Sequence, residues 1–192
     1  DPSLPSKVKK IVYMGGAFYV EGNSTRNAEF NWWVDPDAAK IAINSQWGIS
    51  KTTSSKEYNN QVIFGLETTN HTKRMPQNIY NKILDNTYDE FREILTRTNG
   101  LESPRNLWDV FAAAYVIEPS IVLSWNNQEI DNTLNNKING VYIDINTDSL
   151  ENYAKATVLE KNEINSKSKK AAIANYVDEN KRSFKLASRV LS

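Results

Sequence analysis

Three short polar groups follow an apolar run near the start of the chain. Met14-Gly15-Gly16-Ala17 places a glycine turn behind Ile11-Val12-Tyr13, and Glu21-Gly22-Asn23 and Ala28-Glu29-Phe30-Asn31 come next. A carboxylate accepts hydrogen bonds while an amide both donates and accepts, so Asn23, Glu29 and Asn31 together suit the adjacent hydroxyls of a small polyhydroxylated ligand. On an extended backbone Glu29 and Asn31, two apart, would project to one side. The same residues also have purely structural uses: Asn23 can stabilise a turn, and Glu29 can cap a helix that starts after it.

A second constellation stands far downstream, in Leu107-Trp108-Asp109-Val110-Phe111-Ala112-Ala113-Ala114-Tyr115-Val116-Ile117. Asp109 is the one charged residue in this run. An unpaired carboxylate buried there would cost several kcal/mol, which calls for a partner. A divalent cation or a buried Arg would serve, and so would a capping role at the first helical turn, worth about 1 kcal/mol. Trp108 reads either as a large core residue or as a π face on which a flat ring can stack.

Other patterns carry less. Asp144-Ile145-Asn146-Thr147-Asp148 imitates the first half of a calcium loop, but Ser149 replaces the turn glycine and Lys155 stands where a bidentate Glu should close it. Neither GxGxxG nor GxxxxGK[ST] spacing occurs. With no cysteine, a disulfide framework, a thiolate metal site and a Cys nucleophile are excluded, and the single His71, in a polar loop, rules out multi-histidine zinc schemes. Trp32-Trp33 and Trp47 read as core or subunit contacts.

The elements that must position these groups follow from pattern. Ile11 to Met14 reads as a buried strand ended by glycine, and Val62 to Leu66 as a central parallel strand. Asp35-Pro36 starts an Ala-rich helix that ends before Gly48. Apolar residues at three and four residue spacing from Ile79 to Leu95 predict an amphipathic helix from Pro76 to Asn99, with a break near Asp85 to Thr87. The turn-rich stretch from Thr98 to Asn106 reads as a flap, and Leu107 to Ile117 as a helix buried on most sides and stopped before Pro119. Ile121 to Leu123, Val141 to Ile143 and Ala156 to Leu159 are strand candidates, and Asp178 to Val190 a closing helix. Pro2 and Pro5 argue against a helix at the very start. Strands and helices intermix, so an α/β layer architecture is expected, with no repeat and no linker that would divide it.

Composition bounds the rest. In 192 residues, 40% apolar with 24% charged is a globular balance, and no run nears the roughly eighteen apolar residues of a membrane span, so a soluble protein is expected. Lys plus Arg and Asp plus Glu are 23 each, leaving no net field to attract nucleic acid. Lys7 to Lys10 and Lys167 to Lys170 read as solvated surface.

Taken together, MGGA, the AEFN…DP segment ending in Asp35-Pro36, Phe64-Gly65-Leu66-Glu67-Thr68-Thr69-Asn70 and the Trp108-Asp109 helix resemble the nucleoside N-ribohydrolases. The resemblance implies the carboxyl-terminal part of an open, mostly parallel Rossmann-like sheet flanked by helices, with residues 1–192 a single or partial domain. Such enzymes begin with an Asp-rich DxDxxxDD strand and loop that supplies the general base and most metal ligands, and it does not precede Met14 here. By resemblance, Met14, Asn23, Glu29 and Asn31 would hold a ribose. Asp109 would ligate a Ca²⁺ ion that holds the sugar and lowers the pKa of the attacking water. Uridine-accepting members carry His where this chain has Trp108, whereas the purine-preferring, inosine-adenosine-guanosine class carries Trp. Trp108 would then stack on the base and raise its basicity. The implied partner is a purine nucleoside, with neither nucleic acid nor membrane, in a homodimer or homotetramer; the compartment is not read, the cytoplasm being the default. The alternative is a ribose- or nucleoside-binding or interaction protein of hydrolase ancestry without turnover, or an inactive fragment; without the Asp-rich part the chain alone is expected to be inactive.

Overall fold

The computed structural model describes residues 1–48, 60–70, 77–99, 108–126 and 140–177. In chain order these form α1 (Leu4–Lys7), β1 (Ile11–Met14), α2 (Phe30–Val34), α3 (Pro36–Asn44), β2 (Gln61–Phe64), α4 (Leu66–Thr69), α5 (Gln77–Asp85) and α6 (Asp89–Asn99). There follow α7 (Trp108–Ile117), a 3₁₀ turn at Pro119–Ile121, β3 (Val122–Trp125), β4 (Val141–Ile145), β5 (Ala156–Val158) and β6 (Lys169–Val177). No helix among the described residues is long and apolar enough to cross a membrane.

The fold is α/β, an open sheet flanked by helices, in the order β1-β2-β6-β4-β5. Its parallel part is β1-β2-β6, with Met14 opposite Phe64 and Ile63 opposite Ile173. β4 joins β6 antiparallel, β5 joins β4 antiparallel, and β3 pairs with the far half of β6. All four residues of β2 are buried, because both faces of the sheet are covered and a central strand has no solvent side. The two-residue alternation still sorts its side chains. Val62 and Phe64 pack with Ala172, Ala174 and α7's Phe111, Ala114 and Tyr115 on one face, while Ile63 packs with Ile173, Ile143, Trp32 and Ile43 on the other. Phe64 stacks on Phe111 with ring centroids 6.5 Å apart, so α7 is fixed to the sheet at the end of β2.

Local signals account for most of these elements. The side chain of Asp35 accepts a hydrogen bond from Ala38 N at 2.9 Å, and Pro36 opens α3 as expected. The amphipathic stretch from Gln77 to Asn99 is two helices, broken where the pattern placed the break. α7 runs from Trp108 and stops before Pro119.

Three readings are corrected. Leu4–Lys7 is a helical turn in spite of its proline, because Pro5 lies in the first turn, where its missing N–H has no partner to lose. Asn31 is not on extended backbone, since α2 begins at Phe30 and Glu29 caps it. Lys169 and Lys170 are not simply surface but the first residues of β6, which pairs with three other strands. The proposed flap from 98 to 106, His71 and the closing helix from 178 to 190 lie wholly or mostly outside the described residues.

Candidate nucleoside site

β1 ends at Met14, and the chain then makes its way to α2 through a loop held from both sides. Gly15 N donates to Phe64 O at 3.2 Å and Leu66 N to Gly16 O at 3.0 Å, which ties the turn to the end of β2. Gly16 has φ +81° and packs against Trp32 and Phe18, so a side chain there would be both strained and crowded. Further along, Asn23 N reaches Ala28 O at 3.1 Å, closing a compact turn that brings Asn23 beside Glu29.

Glu29 is 2% exposed, and its carboxylate is saturated by backbone donors: Asn31 N at 2.8 Å on Oε1, and Gly16 N at 3.0 Å and Trp32 N at 3.1 Å on Oε2. One side chain thus caps α2 and anchors the glycine turn. Asn23 Oδ1 accepts from Phe30 N at 2.8 Å, and Asn31 Nδ2 donates to Met14 O at 3.3 Å and lies 3.1 Å from Met14 Sδ. The turn and capping uses anticipated from sequence are therefore both realised. They leave Asn23 Nδ2 and Asn31 Oδ1 without a protein partner among the described residues, one donor group and one acceptor.

From the opposite face of the sheet, α7 brings its first residues to the same place. A cavity of about 400 Å³ is lined by Met14, Asn23, Ser24, Glu29, Phe30, Asn31, Trp108 and Asp109. All six residues singled out in the sequence share it, joined by Ser24 and Phe30, which were not singled out. Phe30 stands within the AEFN motif and is exposed as the first residue of a capped helix, the signal that could have marked it. The cavity opens beyond the carboxyl end of β1, where open α/β sheets collect ligands.

The burial argument for Asp109 does not hold. It is exposed in the first turn of α7, where the helix N-terminus favours a negative charge, so it needs no buried partner. It is also inside the helix rather than its N-cap. Calcium takes six to eight oxygen ligands, whereas Asp109 is the one carboxylate in this cavity not consumed by backbone hydrogen bonds. No group of three or more acidic or histidine ligands occurs among the described residues. The residues present fit one ligand of a metal site, not a whole one.

A second carboxylate sits behind the loop. Glu67, in α4, is 5% exposed, and its Oε1 accepts hydrogen bonds from Phe18 N and from Tyr19 N, the latter at 2.8 Å. Burial pushes its carboxyl above the ordinary value, partly offset by backbone N–H groups of Tyr19, Glu67 and Phe18.

Fold and site together define an α/β protein with a cleft of about 400 Å³ at the end of its parallel strands, where polar side chains meet the rings of Phe30 and Trp108. The chain belongs to the inosine-uridine preferring nucleoside hydrolase family, whose sequence model matches residues 1–183. It is 31% identical over 122 residues to the inosine-uridine preferring nucleoside hydrolase of Crithidia fasciculata, covering 64% of this chain and 37% of that protein. It is 56% identical over 45 residues to a probable uridine nucleosidase 1 of Oryza sativa subsp. japonica, covering 23% of this chain and 14% of that one. The fold is similar to that of the purine-preferring ribonucleoside hydrolase from Gardnerella vaginalis, with a TM-score of 0.66 at 20% identity over 99% of this chain and 54% of that one. The chain thus spans about half of the solved relative and less of the curated ones.

Proposed function

We propose that this chain provides the sugar-holding wall of a site that hydrolyses the N-glycosidic bond of ribonucleosides, with a preference for purines. The carrying observation is the single cavity that unites Met14, Asn23, Glu29 and Asn31 with Trp108 and Asp109 across two faces of the sheet. Asn23 Nδ2 and Asn31 Oδ1 offer a donor and an acceptor to vicinal hydroxyls, while Glu29 fixes the backbone that carries both. In the reaction a water oxygen bonds to the anomeric carbon as the carbon–nitrogen bond breaks, and the base leaves with the electron pair and takes up a proton. A sugar held at both hydroxyls is oriented for that attack.

Trp108 is 39% exposed at the cavity edge, so its ring face is available to a flat base. Asp109 would contribute one carboxylate to a Ca²⁺ ion whose remaining ligands lie outside the described residues; when bound, such an ion makes its water more acidic. The relatives' names include inosine-uridine and uridine enzymes, so substrate choice is the point to measure. Hydrolysis of inosine, guanosine and uridine by the whole protein, with and without chelator, is expected to favour the two purines and to fall on metal removal. Equal turnover of all three would defeat the purine assignment. Binding of nucleoside with no turnover would favour the second reading, a ribose-binding protein.

A further inference from the structure

The loop that leads from β1 to Asn23 is held at two points by two different buried carboxylates. Glu29 holds Gly16, at the loop's start. Glu67 holds Phe18 and Tyr19 in its middle, through one oxygen that receives both N–H groups. The other oxygen, Oε2, is buried and has no hydrogen-bond partner among the described residues. A buried orphan oxygen is a cost to folding, set here against the two loop N–H groups that its partner oxygen receives. Gly65 also makes way for it: a Cβ on Gly65 would lie 2.1 Å from Oε2.

We propose that Glu67 is a positioning residue for the sugar-binding loop, acting through the Phe18 and Tyr19 amides to hold Asn23 over the cavity. This rests on the reading of that cavity as a ribose site. Glu67 does not line the cavity itself. Its effect travels along the backbone: Phe18 and Tyr19 fix the loop five and four residues before Asn23, whose own amide donates to Ala28 O and whose side chain accepts from Phe30 N at the start of α2. Without the Glu67 tether, the turn from Gly22 to Ala28 keeps its internal shape but loses one of its ties to the sheet.

The test compares Glu67→Met and Glu67→Gln in the full chain, reading amide hydrogen exchange and inosine affinity. Glu67→Met is expected to speed exchange at Phe18 and Tyr19 by about tenfold or more and to weaken inosine binding by about tenfold, with the amides of β2 and β6 unchanged. Glu67→Gln keeps an acceptor oxygen, and is expected to restore both to within about twofold. If Glu67→Met does not fold, the wild-type chain decides: amide proton shifts of Phe18 and Tyr19 should follow a carboxyl titration that is absent in Glu67→Gln. Unchanged loop exchange in a folded Glu67→Met, a flat wild-type titration, or a loosened loop with unchanged affinity would each overturn the proposal. Failure of the wild type to bind inosine at all would instead overturn the reading of the cavity.

Discussion

The two neighbouring strand ends, of which the first borders the cleft, are built alike and finished differently. β1 and β2 both run into glycine and then into a helix whose start carries a buried glutamate. At the first corner Glu29 receives three backbone N–H groups, on both oxygens. At the second, Glu67 receives two on one oxygen and leaves the other bare. A satisfied buried carboxylate is a rigid joint, whereas a half-satisfied one works against folding. The contrast separates a group kept for architecture, which also happens to border the cavity, from one whose cost is offset by what it holds in place.

The comparison breaks most visibly at Glu29. Glu29→Ala would orphan the N–H groups of Gly16, Asn31 and Trp32 together, so a loss of about 4 kcal/mol in denaturant-monitored stability is expected. A loss below about 1 kcal/mol would mean that the corner holds its shape without the carboxylate. Next comes Gly65→Ala. Gly65 has φ −81°, which any residue adopts, so the main obstacle is Glu67 Oε2, with Gly16 O next at 3.0 Å, and not the backbone conformation. The methyl group should push the carboxylate off Phe18 and Tyr19 and cost about 2 kcal/mol. In Gly65→Ala combined with Glu67→Ala that penalty should largely vanish, and a strictly additive double-mutant cycle would show the two residues to be independent.

Asp35 supplies the scale for both. It is an exposed cap whose side chain receives one backbone donor among the described residues, Ala38 N, so Asp35→Ala should cost about 1 kcal/mol by the same measurement. If Asp35→Ala cost as much as Glu29→Ala, burial and multiple donors would not be what distinguishes the corners.

How far the sequence revealed all this differs between the two sides of the cleft. The β1 end was legible because its signals are local: an apolar run, a glycine turn, and polar residues within one short stretch. The capping role of Glu29 was legible as an alternative, but the start of α2 at Phe30 was not, since a five-residue helix leaves no periodicity to read. Trp108 and Asp109 were placed with the others by family resemblance, and the cavity does bring them together. The physical argument for Asp109 failed because an apolar run was equated with burial, whereas a helix's first turn can project its side chains into open space. β6 escaped notice because Ala171, Ala172 and Ala174 give little strand propensity and two lysines introduce it. It is nonetheless the strand that joins the parallel and antiparallel parts of the sheet, and its small side chains leave room for Phe111 on one face and Ile143 on the other. In the sequence Glu67 reads as part of a motif and not as a functional residue, because its partners, Phe18 and Tyr19, lie almost fifty residues away.

The finest test of the contrast is the pH dependence of stability. Burial raises the Glu67 carboxyl above its ordinary value, and the phenol of Tyr19 is raised in turn by burial and by the Glu67 charge. A carboxyl whose pKa is higher folded than unfolded binds its proton more tightly in the folded state, so its contribution is full below the unfolded value and is lost as pH rises through the folded one. The wild-type chain should therefore lose stability across the carboxylate range on the Glu67 account, and Glu67→Gln should remove that slope. Above that range Glu67→Gln should be the more stable of the two, and below it the two should converge, as followed by denaturant midpoints at several pH values. If instead Glu67→Gln were the less stable at neutral pH, the charge would be a net support of the fold, and Glu67 would belong with Glu29 as architecture.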